Sequence, residues 1–196
     1  ELYDKYAPMM QKYNPKWGMG DIIIKDRTGE GVINDEDRTV IGNSIPRFTF
    51  GLNLGFEYKG FDFSCFFQGV GKADGYVTME AIQPMGINGA RKEHYKESFN
   101  PQDPKPGAYF PRILSSDYNY AYMSHWVQDA SYIRLKNLQI GYSFKIKGLN
   151  QLRVYASGEN LFTATKYRTW DPETPVGARG FYPNVAVYSM GVNLNF

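Results

Sequence analysis

Residues 184–196 read Asn184-Val185-Ala186-Val187-Tyr188-Ser189-Met190-Gly191-Val192-Asn193-Leu194-Asn195-Phe196. From Tyr188 onward every second residue is apolar, and the residues between them are small or polar. Because side chains alternate between the two faces of a strand, this period of two predicts a β-strand with one apolar and one polar face. At about 3.3 Å per residue the segment spans roughly 40 Å, and a tilted strand needs only about 9–11 residues to cross a bilayer.

The last eight residues resemble the C-terminal signal that marks outer-membrane β-barrels for insertion. That pattern is polar, any, glycine, two of any kind, apolar, any, aromatic. Its defined positions fall on Ser189, Gly191, Leu194 and Phe196, which are the predicted barrel-insertion signal. The alternative is a half-buried strand that ends a soluble β-domain.

The composition allows a membrane protein built from strands. The 196 residues fit one domain or a piece of a larger one. The mean hydropathy is −0.48, and no run approaches the roughly 18 apolar residues of a membrane helix. Barrel strands alternate, so their hydropathy averages resemble those of soluble chains. Aromatic residues make up 16% of the chain, which is typical of barrel girdles and also of carbohydrate-binding proteins.

Charge, cysteine content and motif content exclude other classes. The net charge of +2 argues against nucleic acid as a partner, and Cys65, the single cysteine, excludes an internal disulfide framework. The sequence contains no serine-hydrolase elbow, phosphate loop or zinc motif, so we predict no enzyme and assign no catalytic residue. The first four residues carry no signal peptide, so we expect a mature chain or a fragment.

Four further segments alternate in the same way and predict four more strands: Phe48 to Tyr58, Phe61 to Gln68, Ser131 to Phe144 and Gln151 to Phe162. Two of the connections are short and two are long, at residues 70–130 and 165–183. Outer-membrane barrels have short periplasmic turns and longer extracellular loops. With Phe196 on the periplasmic side, we predict that both long connections and residues 1–46 are extracellular, and that residues 47–196 hold the barrel strands.

Five strands do not make a complete membrane structure. An open sheet edge in lipid leaves backbone groups without hydrogen bonds, and single-chain barrels begin at eight strands. The predicted fold class is therefore all-β, a transmembrane antiparallel β-barrel of which this chain supplies one part.

An Asp/Gly-rich loop follows the short apolar run at residues 22–24. Its spacing fits the twelve-residue calcium loop, with a glycine, Gly31, at the sixth position. The six ligand positions are filled by Asp26, Thr28, Glu30, Val32 through its carbonyl, Asn34 and Asp37. Thr28 is a weak ligand and Asp37 replaces the usual bidentate Glu. The hypothesis is a structural Ca²⁺ site. The alternative is a polar turn that keeps its shape without metal.

Several motifs occur in order along most of the chain. They are Gly20-Asp21-Ile22, Asp37 to Asn43, Pro46 to Gly51, Tyr58 to Asp62, Phe66 to Gly69, Trp126 to Asn137, Leu152 to Phe162 and Asp171-Pro172-Glu173. Together with the terminal strand they resemble the C-terminal portion of the SusC/RagA family of TonB-dependent outer-membrane transporters, which is typical of Bacteroidota. Thr28 and Glu30 depart from the Asn and Asp that the family often carries.

The resemblance implies a 22-stranded barrel closed by an N-terminal plug, a size class whose lumen is plugged, with this chain as its last five or so strands. It implies outer-membrane nutrient import energised through TonB, which the part absent from this chain would contact. It also implies a SusD-type lipoprotein as partner and an oligosaccharide or peptide as substrate. No cofactor is required. The loops at 71–123 and 167–183 match nothing family-wide and are expected to set substrate choice.

Two tryptophans, Trp126 and Trp170, are the candidate contacts with substrate or lipoprotein. The alternative for each is an interfacial or loop-packing aromatic. The alternative for the whole chain is a soluble secreted β-sandwich that binds carbohydrate. A solubility test with and without detergent distinguishes the barrel from the β-sandwich, because a barrel is insoluble without detergent.

Overall fold

The structure, a computed structural model, describes residues 1–77, 79–84, 89–104, 106–114, 118–168, 170–174 and 182–196. The chain forms two compact units. One consists of Glu1–Ile41 and Thr78–Trp126, and the other of Gly42–Val77 and Val127–Phe196.

The first unit is built from short helices and loops. Its α-helices are α1 (Leu2–Tyr13), α2 (Met79–Ile82) and α3 (Lys92–Glu97), and its 3-10 turns are Asp35–Asp37, Tyr118–Tyr120 and Ser124–Trp126. Met10, Trp17 and Ile33 form a buried apolar cluster under α1. Among the described residues, no helix is both long and apolar enough to cross a bilayer.

The second unit is dominated by one antiparallel sheet. In chain order its strands are β1 (Phe48–Tyr58), β2 (Phe61–Gly71), β3 (Asp74–Tyr76), β4 (Val127–Asp129), β5 (Tyr132–Phe144), β6 (Gln151–Thr165) and β7 (Val187–Asn195). The large sheet has the order β1-β2-β5-β6-β7, and β3 and β4 form a separate two-stranded ribbon. Lys59 and Gly60 both have positive φ values, 48° and 87°, as a two-residue hairpin turn between twisted strands requires.

The five predicted strands and the all-β antiparallel class are confirmed. The predicted boundary at residue 46 differs from the observed division, because residues 42–46 belong to the sheet unit. The long loop predicted at residues 70–130 contains two short strands, β3 and β4, and its residues 78–126 form a compact unit together with residues 1–41. The extracellular position of these segments remains a prediction.

A bulge in β5 changes which of its residues point to the apolar face of the sheet. The register against both neighbouring strands shifts around Lys136, so that Ile133 and Leu135 share a face with Leu138 and Ile140. An extra residue in a strand switches the side chains that point to one face from odd-numbered to even-numbered positions. The shift explains why the apolar residues of β5 are odd-numbered before Lys136 and even-numbered after it.

Candidate functional site

One face of the large sheet is apolar on all five strands. The register places residues in rows across the sheet, and one row contains Phe56, Phe63, Ile140, Ala156 and Met190. Most of these side chains are exposed: Phe56 is 54%, Ile140 42% and Met190 90% exposed within the described structure, whereas Phe63 is partly buried. Exposed apolar patches of this extent mark contact with a membrane or a partner.

The predicted insertion signal lies on and just after β7. Leu194 lies on the apolar face opposite Leu152, whereas Ser189 and Gly191 pair with Ser157 and Tyr155 on the other face. Phe196 follows the strand and is 83% exposed. The role of these four residues in insertion remains a prediction.

The opposite face of the sheet is polar and carries a cross-strand ion pair. Arg153 of β6 donates from Nε to Asp62 Oδ2 at 2.8 Å and from Nη2 to Asp62 Oδ1 at 2.5 Å. Asp62 belongs to β2 and pairs with Gly141 of β5, whose partner on β6 is Tyr155, and the side chains of Asp62 and Arg153 meet over Gly141. Arg153 also donates to Gln139 at 2.9 Å and lies 4.9 Å from the centre of the Tyr155 ring. This polar face suits the wall of a water-filled lumen.

The ion pair requires a glycine at position 141. A Cβ there would lie 2.4 Å from Asp62 Oδ2 and 2.7 Å from Arg153 Nη2. We therefore expect Gly141→Ala to separate the pair and to lower the free energy of unfolding by about 1–3 kcal/mol, the usual cost of overpacking. Denaturant titration in detergent measures the change. Gly71→Ala is the matched control, because its Cβ would come no closer than 3.6 Å to Phe48. Equal midpoints for the two variants would contradict the expectation.

The Asp/Gly loop is organised around two carboxylates. Asp26 accepts hydrogen bonds from the Gly29 amide at 2.6 Å and the Gly31 amide at 2.7 Å. Asp37 accepts from the amides of Arg27 at 2.6 Å, Thr28 at 3.2 Å and Asn34 at 3.0 Å. The apolar anchor of the loop, Ile33, is buried against α1.

These hydrogen bonds keep both carboxylates charged. Amides of Gly29 and Gly31 lower the pKa of Asp26, and amides of Asn34 and Arg27 lower the pKa of Asp37, because a hydrogen bond to the charged form favours it. Both groups are therefore in the form that a cation binds.

The predicted ligand positions come together only in part. The Thr28 hydroxyl lies 3.2 Å from Asp26 Oδ1 and 3.5 Å from Asp37 Oδ1, whereas Glu30 and Asn34 hydrogen-bond to each other. In the described part of the chain, no group of three or more His, Cys, Asp or Glu side chains is placed to hold a metal. A calcium site would therefore use two carboxylates and neutral oxygens, including the Val32 carbonyl.

Calcium at this loop stays a prediction with a direct test. If the ion binds, millimolar Ca²⁺ should raise the midpoint of thermal unfolding relative to EDTA, because a ligand that binds only the folded state stabilises it. Asp37→Asn should abolish the shift. Asp35→Asn should keep it, since Asp35 lies at no ligand position and pairs with Arg38. An identical melting curve of the wild type in Ca²⁺ and EDTA would support the metal-independent turn.

The structure corrects the expectation for Trp126. Its side chain is fully buried, it packs edge-on against Tyr109 and His125, and its indole donates to the Asn119 carbonyl at 2.8 Å. It is a loop-packing aromatic and presents no face to a ligand. Trp170 is partly buried, and its contact with substrate or lipoprotein remains a prediction.

The ion pairs of the polar face were not predicted from the sequence. Asp62 and Arg153 form the pair described above, and Arg134, Lys136 and Glu173 form a second cluster. The signal available in the sequence was the presence of charged residues within otherwise alternating strands.

Known proteins resemble the chain over most of its length. A TonB-dependent receptor of Formosa agariphila is 34% identical in an alignment 201 residues long, which covers 90% of this chain and 19% of that protein. The TonB-dependent receptor SusC of Bacteroides thetaiotaomicron is 27% identical over 185 residues, which cover 89% of this chain and 17% of that protein. No protein-family model matches.

Solved structures show the same fold. The RagAB peptide transporter matches with a TM-score of 0.66 and 24% identity, over 85% of this chain and 19% of that chain. The RagAB peptide importer in its closed-closed state matches with a TM-score of 0.63 and 25% identity, over 80% of this chain and 18% of that chain. The chain thus spans about a fifth of the length of its curated relatives. By sequence and fold, the chain belongs to the SusC/RagA family of TonB-dependent outer-membrane transporters and forms a piece of the larger β-barrel.

Proposed function

We propose that this chain is a C-terminal wall segment of an outer-membrane nutrient importer that takes up glycans or peptides. The observation that carries the proposal is the sheet with two opposite faces. One face is apolar on all five strands, with large exposed side chains on β1, β5, β6 and β7, and the other is polar and carries an ion pair between strands. This division is what a barrel wall between lipid and a water-filled lumen requires.

In the proposed importer, transport involves binding, displacement of a plug and passage, without bond chemistry. The names of the curated relatives support energisation through TonB, and a structural neighbour described as a peptide importer supports peptides as one substrate class. A SusD-type lipoprotein would capture substrate at the extracellular side. Trp170 is retained as a candidate contact on that side.

The mass and composition of the native particle test this proposal. We expect a detergent-solubilised species several times heavier than the 22.4 kDa of this chain, with a lipoprotein that co-purifies. Uptake of labelled glycan and labelled peptide by cells with and without TonB would then identify the substrate class. A 22.4 kDa species that stays soluble without detergent would instead indicate a secreted binding module.

A further inference from the structure

A second cluster of charges lies at the end of the sheet opposite the Asp62–Arg153 pair. Its centre is Arg134 of β5, whose side chain is 2% exposed. The guanidinium donates to Asp171 at 2.7 Å, to Glu173 at 2.9 Å and to the Thr163 hydroxyl at 2.8 Å. The two carboxylates belong to the connection between β6 and β7, so the cluster joins that connection to the sheet.

Glu173 is the residue with the most partners in this cluster. Besides Arg134 it accepts from the Tyr132 hydroxyl at 2.9 Å and pairs with Lys136 Nζ at 2.8 Å. Asn184, just before β7, donates to it through its side-chain amide. Burial by itself raises the pKa of Glu173, but hydrogen bonds from Lys136 and Tyr132 and the charge of Arg134 lower it overall.

The geometry shows on which face the connection lies. Ile133 and Leu135 lie on the apolar face, so Tyr132 and Arg134 project from the polar face. β5 and β7 flank β6 on opposite sides, and the connection between β6 and β7 contacts the polar face of β5 through Asp171 and Glu173. Asp171 and Glu173 hold its outgoing limb, and Asn184 holds its returning limb.

The start of the connection is also fixed. The Arg168 amide donates to the Gln128 side chain of β4 at 2.9 Å. A Cβ on Gly75 of β3 would lie 2.7 Å from the Tyr167 ring, so this ring packs directly on the backbone of the ribbon.

The charges of the cluster balance. Two cations, Arg134 and Lys136, face two anions, Asp171 and Glu173, and all are largely buried. Removing one member of such a set leaves an unpaired buried charge, which is strongly unfavourable. The cluster is therefore a rigid attachment, and it offers a ligand little net charge.

We propose that Tyr132, Arg134, Lys136, Asp171, Glu173 and Asn184 form a loop clamp that determines substrate size. The clamp holds residues 170–174 over the polar face, where they narrow the passage along the barrel wall. Because its charges are paired internally, the clamp excludes by size and not by charge. This inference rests on the proposed function, since the polar face is a passage only in a transporter.

The experiment uses the full-length transporter in its native outer membrane. Ser157→Cys, in a Cys65→Ser background, places a thiol on the polar face of β6. This position lies between the clamp and the end of the sheet that carries the Asp62–Arg153 pair. Intact cells are treated with N-ethylmaleimide and with maleimide-polyethylene glycols of increasing mass. In the clamp variants Glu173→Gln and Arg134→Gln, we expect the large reagents to label the thiol about tenfold faster or more, because loss of a buried partner raises the population of the open loop. Tyr132→Phe, which removes one hydrogen bond, should give an intermediate rate.

Glu159→Gln is the matched control. It removes a carboxylate from the polar face of β6, opposite Asn137, without touching the clamp, and should leave every labelling rate unchanged. Heat-modifiable gel mobility identifies variants that retain the barrel. Equal labelling of all folded variants by the large reagents, whether fast or absent, would overturn the clamp. A soluble protein without a heat-modifiable form would instead overturn the proposed function.

Discussion

Replacing Asp21 with alanine is expected to destabilise the first compact unit by about 3–5 kcal/mol, the cost of breaking a buried ion pair. The Asp21 side chain is 1% exposed. It accepts two hydrogen bonds from Arg112, at 2.7 and 2.6 Å, one from the Gly18 amide at 2.9 Å and one from Asn119 at 2.9 Å. Alanine leaves all four donors without their acceptor.

The loss should spread beyond the ion pair, because Asn119 depends on Asp21 for its orientation. The side-chain oxygen of Asn119 accepts from the Ile22 amide at 3.0 Å, and the backbone carbonyl of Asn119 accepts from the Trp126 indole at 2.8 Å. Two regions far apart in sequence therefore meet at one carboxylate, since Arg112 and Asn119 lie 91 and 98 residues after Asp21.

Hydrogen exchange measures this loss locally. A change of 3 kcal/mol corresponds to roughly a hundredfold faster exchange, since each 1.4 kcal/mol is about tenfold. We expect this acceleration in peptides around residues 17–24 and 110–114. Asp4→Asn is the control, because Asp4 is in the same unit and its side chain is 82% exposed. Unchanged protection in Asp21→Ala would show that the carboxylate does not hold these segments together.

Leu54→Arg is expected to destabilise the protein in a bilayer by about 2–4 kcal/mol, the cost of an arginine facing lipid near the midplane. Leu54 lies midway along β1, in a row with Cys65 and Leu138, and is 49% exposed. Asn53→Arg is the matched control, because Asn53 is the adjacent residue on the polar face and should tolerate the same side chain within about 1 kcal/mol. Reversible unfolding in phospholipid vesicles measures both values.

A spin label separates lipid contact from burial in a protein core. Attached at Leu54→Cys in a Cys65→Ser background, it should be accessible to dissolved oxygen and protected from a water-soluble nickel chelate. A label inaccessible to both reagents would indicate a covered face, as in a β-sandwich, and would contradict the lipid-facing assignment.

The arrangement of strands could be predicted from sequence because side-chain alternation is a local property. Every apolar residue of β1 between Phe48 and Tyr58 could be assigned to one face from spacing alone. The Lys59-Gly60 turn could also be predicted from the sequence, because few residues other than glycine adopt the positive φ that such a turn requires. The bulge at Lys136 could not be predicted from the sequence, because it depends on the register with both neighbouring strands.

The sequence by itself determined the five strands of the large sheet, their two faces, the order of long and short connections and the family. These properties are carried by residues close together in the chain. Only the tertiary structure decided which charges pair. Asp21 meets Arg112 across 91 residues, and Arg134 meets Asp171 across 37. It also decided that Trp126 is buried while Phe56 is exposed. Burial and ion pairing depend on which distant segments fold against a residue, and the local spacing of residues does not determine which segments these are.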